Sequence, residues 1–170
     1  QFINVIAVDG ANNKWIGTGD SGVFMVSPNG QETKYHFTIN NSPLPSNVIN
    51  DIKINSATGE VFIATDKGMV SFKGIATEAN EDLNNAYVYP NPVRPNYSGT
   101  VKVAGLIDKA NIKITDIEGN LVYETTSTGG TIEWDTTAFG RYKVASGVYM
   151  IFISAQDGGE TKVKKVMIIR

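Results

Sequence analysis

The stretch Ile3–Val26, INVIAVDGANNKWIGTGDSGVFMV, returns in altered form as Ile49–Phe72, INDIKINSATGEVFIATDKGMVSF. With one-residue slips in the loops, Ile6 meets Ile52, Val8 meets Ile54, Ile16 meets Ile63, Thr18 meets Thr65 and Gly22 meets Gly68. Each copy reads as an alternating strand, an Asn/Gly/Asp turn, a second strand and a glycine turn into a third. Alternation at period two is the mark of a half-buried strand, and the turn residues accept the backbone angles a hairpin demands. Between the copies, Lys34–Thr38 supplies an outer strand and Ser42-Pro43-Leu44-Pro45-Ser46-Asn47 a polar connection.

The repeat period of about 46 residues matches one four-stranded propeller blade. Residues 1–75 therefore read as one and a half to two blades of a partial β-propeller. Two blades cannot close a ring that needs about four or more, and the first copy lacks its own approach segment. The chain from Gln1 onward reads as a piece of a longer protein. Open strand edges in such a fragment would favour self-association.

Composition supports an all-β chain and removes several function classes. Of 170 residues, 41% are hydrophobic, enough for a real core, and there is no cysteine, so disulfide scaffolds and thiolate chemistry are excluded. Asp and Glu (17) nearly balance Lys and Arg (15), for a net charge of −2. Nucleic-acid binding, which needs a basic face, is not indicated. No apolar run approaches the roughly 18 residues of a membrane-spanning helix.

Residues 76–85, ATEANEDLNN in sequence, read as a short acidic linker with little to bury and room for one helical turn. Beyond it, strands are expected at Ala86–Tyr89, Thr100–Val103, Asn111–Thr115, Leu121–Thr126, Thr131–Trp134, Val148–Ser154 and Lys162–Ile169. About seven short strands with turn signals between them fit an immunoglobulin-like sandwich over 86–170. Asp116–Asn120 is a hairpin turn in which Gly119 supplies the positive φ. Trp134 and Tyr149 read as core aromatics.

Motifs that suggest chemistry are each better explained by structure. Gly19-Asp20-Ser21-Gly22 mimics a serine-protease nucleophile, but the lone histidine, His36, falls on an outer strand of the same blade and Val23 follows the motif. His36 has no partner His or Cys for a metal. Asp9-Gly10-Ala11-Asn12-Asn13 resembles a calcium loop, yet Ala11 breaks the alternation of oxygen ligands. Asp20 and Asp66, at equivalent turns, are expected to bond local backbone amides. Lys162, Lys164 and Lys165 suit either a phosphate or acidic partner or a solvated edge strand protected from strand addition. Pro90-Asn91-Pro92 sets an extended entrance to the second domain, because proline fixes its own φ and biases its predecessor.

Two resemblances add to this reading. Trp15-Ile16-Gly17-Thr18 followed by Gly22-Val23-Phe24, with Leu44-Pro45-Ser46-Asn47 before the second copy, resembles the regulator-propeller family. The second copy departs from it, with Phe62-Ile63-Ala64-Thr65. In the second half, Tyr89-Pro90-Asn91-Pro92, then Ile112–Val122 with Asp116 and Gly119, then Ser146-Gly147-Val148-Tyr149 and a last strand carrying Lys164 and Lys165, is similar to the C-terminal domain of Bacteroidetes type IX secretion proteins. Trp134-Asp135 with Val144–Tyr149 also resembles flagellar-hook-capping immunoglobulin-like domains, where glycine often follows the Trp-Asp pair and Thr136 stands here.

Together the resemblances imply a non-enzymatic surface component of the type IX attachment machinery, with no cofactor, exported through the periplasm to the outer-membrane surface. They further imply partnership with the sortase and attachment-complex proteins, and binding or delivery of anionic lipopolysaccharide. The implied sorting-domain motif is Pro90, Asn91, Pro92, Asp116, Gly119, Gly147, Val148, Tyr149, Lys164 and Lys165. Two alternatives stay open at this point: a secreted cargo whose sandwich is a cleavable sorting signal, and the periplasmic propeller of a hybrid two-component receptor.

Overall fold

A computed structural model describes residues 2–170; the reading that begins the chain at Gln1 lies outside them. All regular elements are strands. The chain divides into two units, Gln1–Glu78 and Ala79–Arg170.

In the first unit, β1 (Ile3–Val8), β2 (Lys14–Thr18), β3 (Val23–Val26) and β4 (Thr33–Phe37) form one antiparallel sheet in sequential order. A second sheet holds only β5 (Ile49–Asn55), β6 (Glu60–Thr65) and β7 (Gly68–Lys73). The two copies pair in the same register. Ile6 lies opposite Ile16 as Ile52 lies opposite Ile63, and Val8 opposite Lys14 as Ile54 opposite Val61. Even the bulge recurs, between Ile3 and Val5 in one copy and between Ile49 and Asp51 in the other. Sequence alignment and strand register thus agree residue by residue.

The turn chemistry that repeats is carried by threonine. The Thr18 hydroxyl donates to the Gly22 carbonyl and accepts from Ser21 N–H; the Thr65 hydroxyl donates to Gly68 and accepts from Lys67 N–H. Gly22 and Gly68 both have positive φ, and a Cβ at Gly22 would sit 2.1 Å from the Phe37 carbonyl oxygen. The expectation that Asp20 and Asp66 hold these turns is corrected: Asp20 accepts from the Ser21 hydroxyl instead. A side-chain hydroxyl one residue before the turn reaches both backbone partners at once, which leaves the aspartates outside.

Packing between the two sheets is one-sided. Trp15, Val23 and Met25 from the first sheet meet Ile52, Val61 and Ile63 from the second in a single core. Trp15 is 5.5 Å from the Phe72 ring and 6.3 Å from that of Phe37. Its indole N–H, which cannot be buried unpaired at low cost, donates to Asp9. The first sheet's other face repeats the apolar residues of the second but is bare: Ile6 is 56% exposed, against 2% for its counterpart Ile52.

The stretch 76–85 forms no helix. Ala76 accepts from Gly10 N–H, and Glu78 N–H donates to Ser56, whereas Asn80 N–H donates to Leu106 of the second unit. Leu83, expected to have little to bury against, is fully enclosed in the second unit's core. A lone leucine among acidic and amide residues gives no periodic signal, so its burial was not legible.

The second unit is a sandwich. Its strands are β8 (Tyr87–Tyr89), β9 (Val101–Ala104), β10 (Asn111–Thr115), β11 (Leu121–Thr126), β12 (Thr131–Trp134), β13 (Thr137–Ala138), β14 (Tyr142–Lys143), β15 (Gly147–Ser154) and β16 (Thr161–Ile168). One sheet has the order β11-β10-β15-β16 and the other β12-β9-β8, while β13 and β14 pair with each other. Inward residues of both sheets, including Val101, Val103, Ile112, Ile114, Trp134 and Ile151, are fully buried together. The short β13–β14 pair lacks alternation and went unread in the sequence.

Candidate functional site

The residues singled out in the second unit converge chiefly on its last strand. Asn91 is exposed, yet its carboxamide is fixed: Nδ2 donates to the Lys165 carbonyl at 2.9 Å and Oδ1 accepts from Met167 N–H at 3.0 Å. A side-chain amide carries one donor and one acceptor in the spacing of a peptide group, so it completes a strand edge as backbone would. Val93 continues the pairing, donating to Met167 and accepting from Ile169, and lies parallel to Ile168. The peptide bonds before Pro90 and Pro92 are both cis. The segment is thus more than an entrance, because it covers the edge of the final strand.

Lys165 gives its carbonyl to this junction and points its ammonium to solvent; Lys164 is half-buried. Lys162 donates to Asn84 Oδ1. Val148 lies opposite Met167, and Gly147 opposite Ile168, on the inner side of the same strand. Nothing in the local geometry explains a glycine at 147: a Cβ there would make only ordinary contact with the Tyr149 ring.

Tyr149 is buried against Trp134, with ring centroids 5.6 Å apart, and its hydroxyl donates to the Ala145 carbonyl. Burial raises its pKa, with a further rise from the Asp116 charge, while the Arg170 charge opposes both. Asp116 and Gly119 build the β10–β11 turn. The Asp116 carboxylate accepts from the Asn120 side chain and from the Asn120 and Glu118 backbone, and these bonds hold its pKa below the ordinary 3.8. Gly119 has φ of 92° and bonds back to Asp116.

The turn after Trp134 has a feature hidden from sequence reading. Thr136 occupies the glycine position of the related domains and adopts φ of 60°, costly for a β-branched residue. Its carbonyl and hydroxyl both accept from the Arg170 guanidinium, at 3.5 and 2.8 Å. Arg170 also donates from Nε to Val144 and from its backbone N–H to Ser146. Lys143 donates to the Asp135 carbonyl beside it. Cationic donors thus compensate a strained turn; only the absent glycine hinted at it.

Chemistry elsewhere is not assembled. The Ser21 hydroxyl donates to Asp20, and His36 Nε2 meets the Ser21 carbonyl at 2.8 Å, so no histidine base reaches that serine. Both Asp9 oxygens are taken by N–H donors of Ala11, Asn13 and Trp15. Among the described residues no group of three His, Cys, Asp or Glu could hold a metal ion, and no helix is long and apolar enough to cross a membrane.

Residues 87–169 match the family model of the secretion system C-terminal sorting domain. The chain is similar to the structure of PorZ, an essential bacterial surface component of the type-IX secretion system of Porphyromonas gingivalis, with 35% identity and a TM-score of 0.62. That match covers 97% of this chain but only 22% of PorZ, so the chain spans about a fifth of that protein's length. The extracellular domain of a hybrid two-component system of B. thetaiotaomicron overlies it loosely, at 13% identity and a TM-score of 0.38 across 98% of this chain and 38% of the other. A one-component system of the same organism gives 13% and 0.31, across 99% and 25%. No curated protein matches. Residues 87–169 thus match the secretion system C-terminal sorting domain family, in a chain similar along nearly its whole length to PorZ.

Proposed function

We propose that the chain is part of a non-enzymatic component of the type IX secretion attachment machinery, resident at the outer-membrane surface. The observation that supports this most is the likeness to PorZ across 97% of the chain, which takes in both blades as well as the sorting domain. A cargo protein would share the sandwich alone.

In this reading the sandwich addresses the protein for export and docks it, through its final strand and the Asn91 junction, to the sortase and attachment-complex proteins. The complete propeller binds anionic lipopolysaccharide and delivers it to the sortase. The bare apolar face at Ile6 and Val8, together with open strand edges, makes residues 1–170 on their own prone to self-association.

The test is affinity capture of the full-length protein from membranes of its native cell. Co-purification of the sortase and of anionic lipopolysaccharide, lost when residues 79–170 are deleted, is the expected result. A full-length protein that reaches the surface but captures neither would overturn the attachment role.

A further inference from the structure

The β13–β14 hairpin carries a residue that neither its turn nor the core explains. Arg141 N–H donates to the Ala138 carbonyl at 3.0 Å, closing a turn with Phe139 and Gly140 at its centre, at φ of 50° and 69°. Positive φ at both central residues makes this a type I′ turn, whose favoured sequence is Asn-Gly. Gly140 suits it, but a bulky aromatic at the first position is a backbone outlier. Burial gives no reason for Phe139, which is 59% exposed, and Tyr142 beside the turn is 68% exposed. Tyr87 and Tyr89 stack on each other at 5.5 Å, whereas neither Phe139 nor Tyr142 stacks on another ring among the described residues.

The tip is held firmly. Phe139 N–H donates to the Val122 carbonyl at 2.8 Å, and the Trp134 indole N–H to the Thr137 carbonyl at 2.9 Å. Thr136, also left-handed, is held by Arg170, two residues past the end of β16. Strain of this kind persists only where the surroundings over-determine it, and it gathers at functional sites. Residues 136–146 hold two cations and no acid. The Lys143 ammonium is taken by the Asp135 carbonyl and the Thr136 hydroxyl, while Arg141 has no ion pair among the described residues.

We propose that this tip is a docking knob, with Phe139, Arg141 and Tyr142 received by an apolar, acid-rimmed pocket on a protein partner. Aromatic residues and arginine are the types that concentrate binding energy in protein interfaces, and a rigid backbone presents them at low entropic cost. Two rings and one free cation are too little to hold a domain on a bilayer, where binding scales with buried apolar area. A second copy would set Arg141 against an equally cationic tip. The partner rests on the docking role proposed above, which makes it the sortase.

The test measures the affinity of the full-length protein for the purified sortase, together with the unfolding transition of the sandwich. Phe139→Asn supplies the residue the turn prefers and removes the ring. It is expected to raise the transition by about 4 °C and to weaken binding by about 10-fold or more. Arg141→Glu and Tyr142→Ala should weaken binding similarly, with the transition little changed. Wild type that binds, with all three variants binding equally well, would overturn the proposal alone. So would a lowered transition in Phe139→Asn, which would make Phe139 a packing residue. Phe139-dependent sedimentation with phosphatidylglycerol vesicles would overturn it in favour of a lipid surface. Wild type with no affinity for the sortase would overturn the docking role and this proposal together.

Discussion

The side chain of Asn91 is hydrogen-bonded to the backbone of Lys165, 74 positions later, with Nδ2 donating to the carbonyl at 2.9 Å. The same carboxamide accepts from Met167, so two segments of the sorting motif that are far apart in sequence form one junction on the edge of β16. Asn91→Ala removes both bonds and should lower the stability of the sandwich by about 1–2 kcal/mol. Asn91→Asp keeps the acceptor but opposes a carboxylate to the Lys165 carbonyl, and should cost at least as much. Denaturant unfolding of the three proteins checks both.

Thr136 pays for its left-handed backbone through Arg170. Arg170→Ala should destabilise by about 1–3 kcal/mol, because it leaves the Thr136 hydroxyl and the Thr136 and Val144 carbonyls without their charged donor. Thr136→Gly should be nearly neutral, as relief of about 1 kcal/mol of backbone strain offsets the lost hydroxyl bond. Thr136→Val keeps the strain and loses the bond, and should be the worst of the three at that position. Melting temperatures of the set order these outcomes.

Sheet alternation, turn glycines and the blade repeat made most of the fold readable, down to the equivalence of Ile16 with Ile63. What stayed hidden depends on contacts distant in sequence. Leu83 has no periodic neighbours to announce its burial, and the Thr136–Arg170 bond joins residues 34 positions apart. The candidate site was legible as a set of residues through resemblance, but not as a geometry. Nothing in Pro90-Asn91-Pro92 alone says that its asparagine serves as a strand edge.

Asp9 is a hub of hydrogen bonds rather than a cation ligand. Asp9→Ala strands the buried Trp15 indole N–H and loosens the turn to Asn13, and should cost about 2–3 kcal/mol in the first unit. Calcium or a chelator should leave the melting temperature of the wild-type protein unchanged, since both carboxylate oxygens already accept from nitrogen. Scanning calorimetry with and without calcium reads both effects.

The depressed pKa of Asp116 makes the sandwich acid-sensitive. Its folded value lies below the ordinary 3.8, so the stabilisation is present above that pH and is lost as pH falls through the folded value. Asp116→Asn should flatten this acid limb. Tyr149 acts in the opposite range: its pKa is raised above 10.0, so its contribution is complete below pH 10 and is lost as pH rises through the folded value. Tyr149→Phe should remove that alkaline limb. Melting curves across pH, for wild type and both variants, test the signs.

The central claim is that the sandwich is kept by a resident of the secretion machinery and is not a disposable label. The most direct measurement is the intact mass of the full-length protein isolated from the surface of its native cell, with peptide coverage of residues 79–170. The account predicts surface protein with the sandwich attached through Arg170. Surface protein ending near residues 76–85 would contradict it, and would make the chain a cargo whose function lies outside the sandwich.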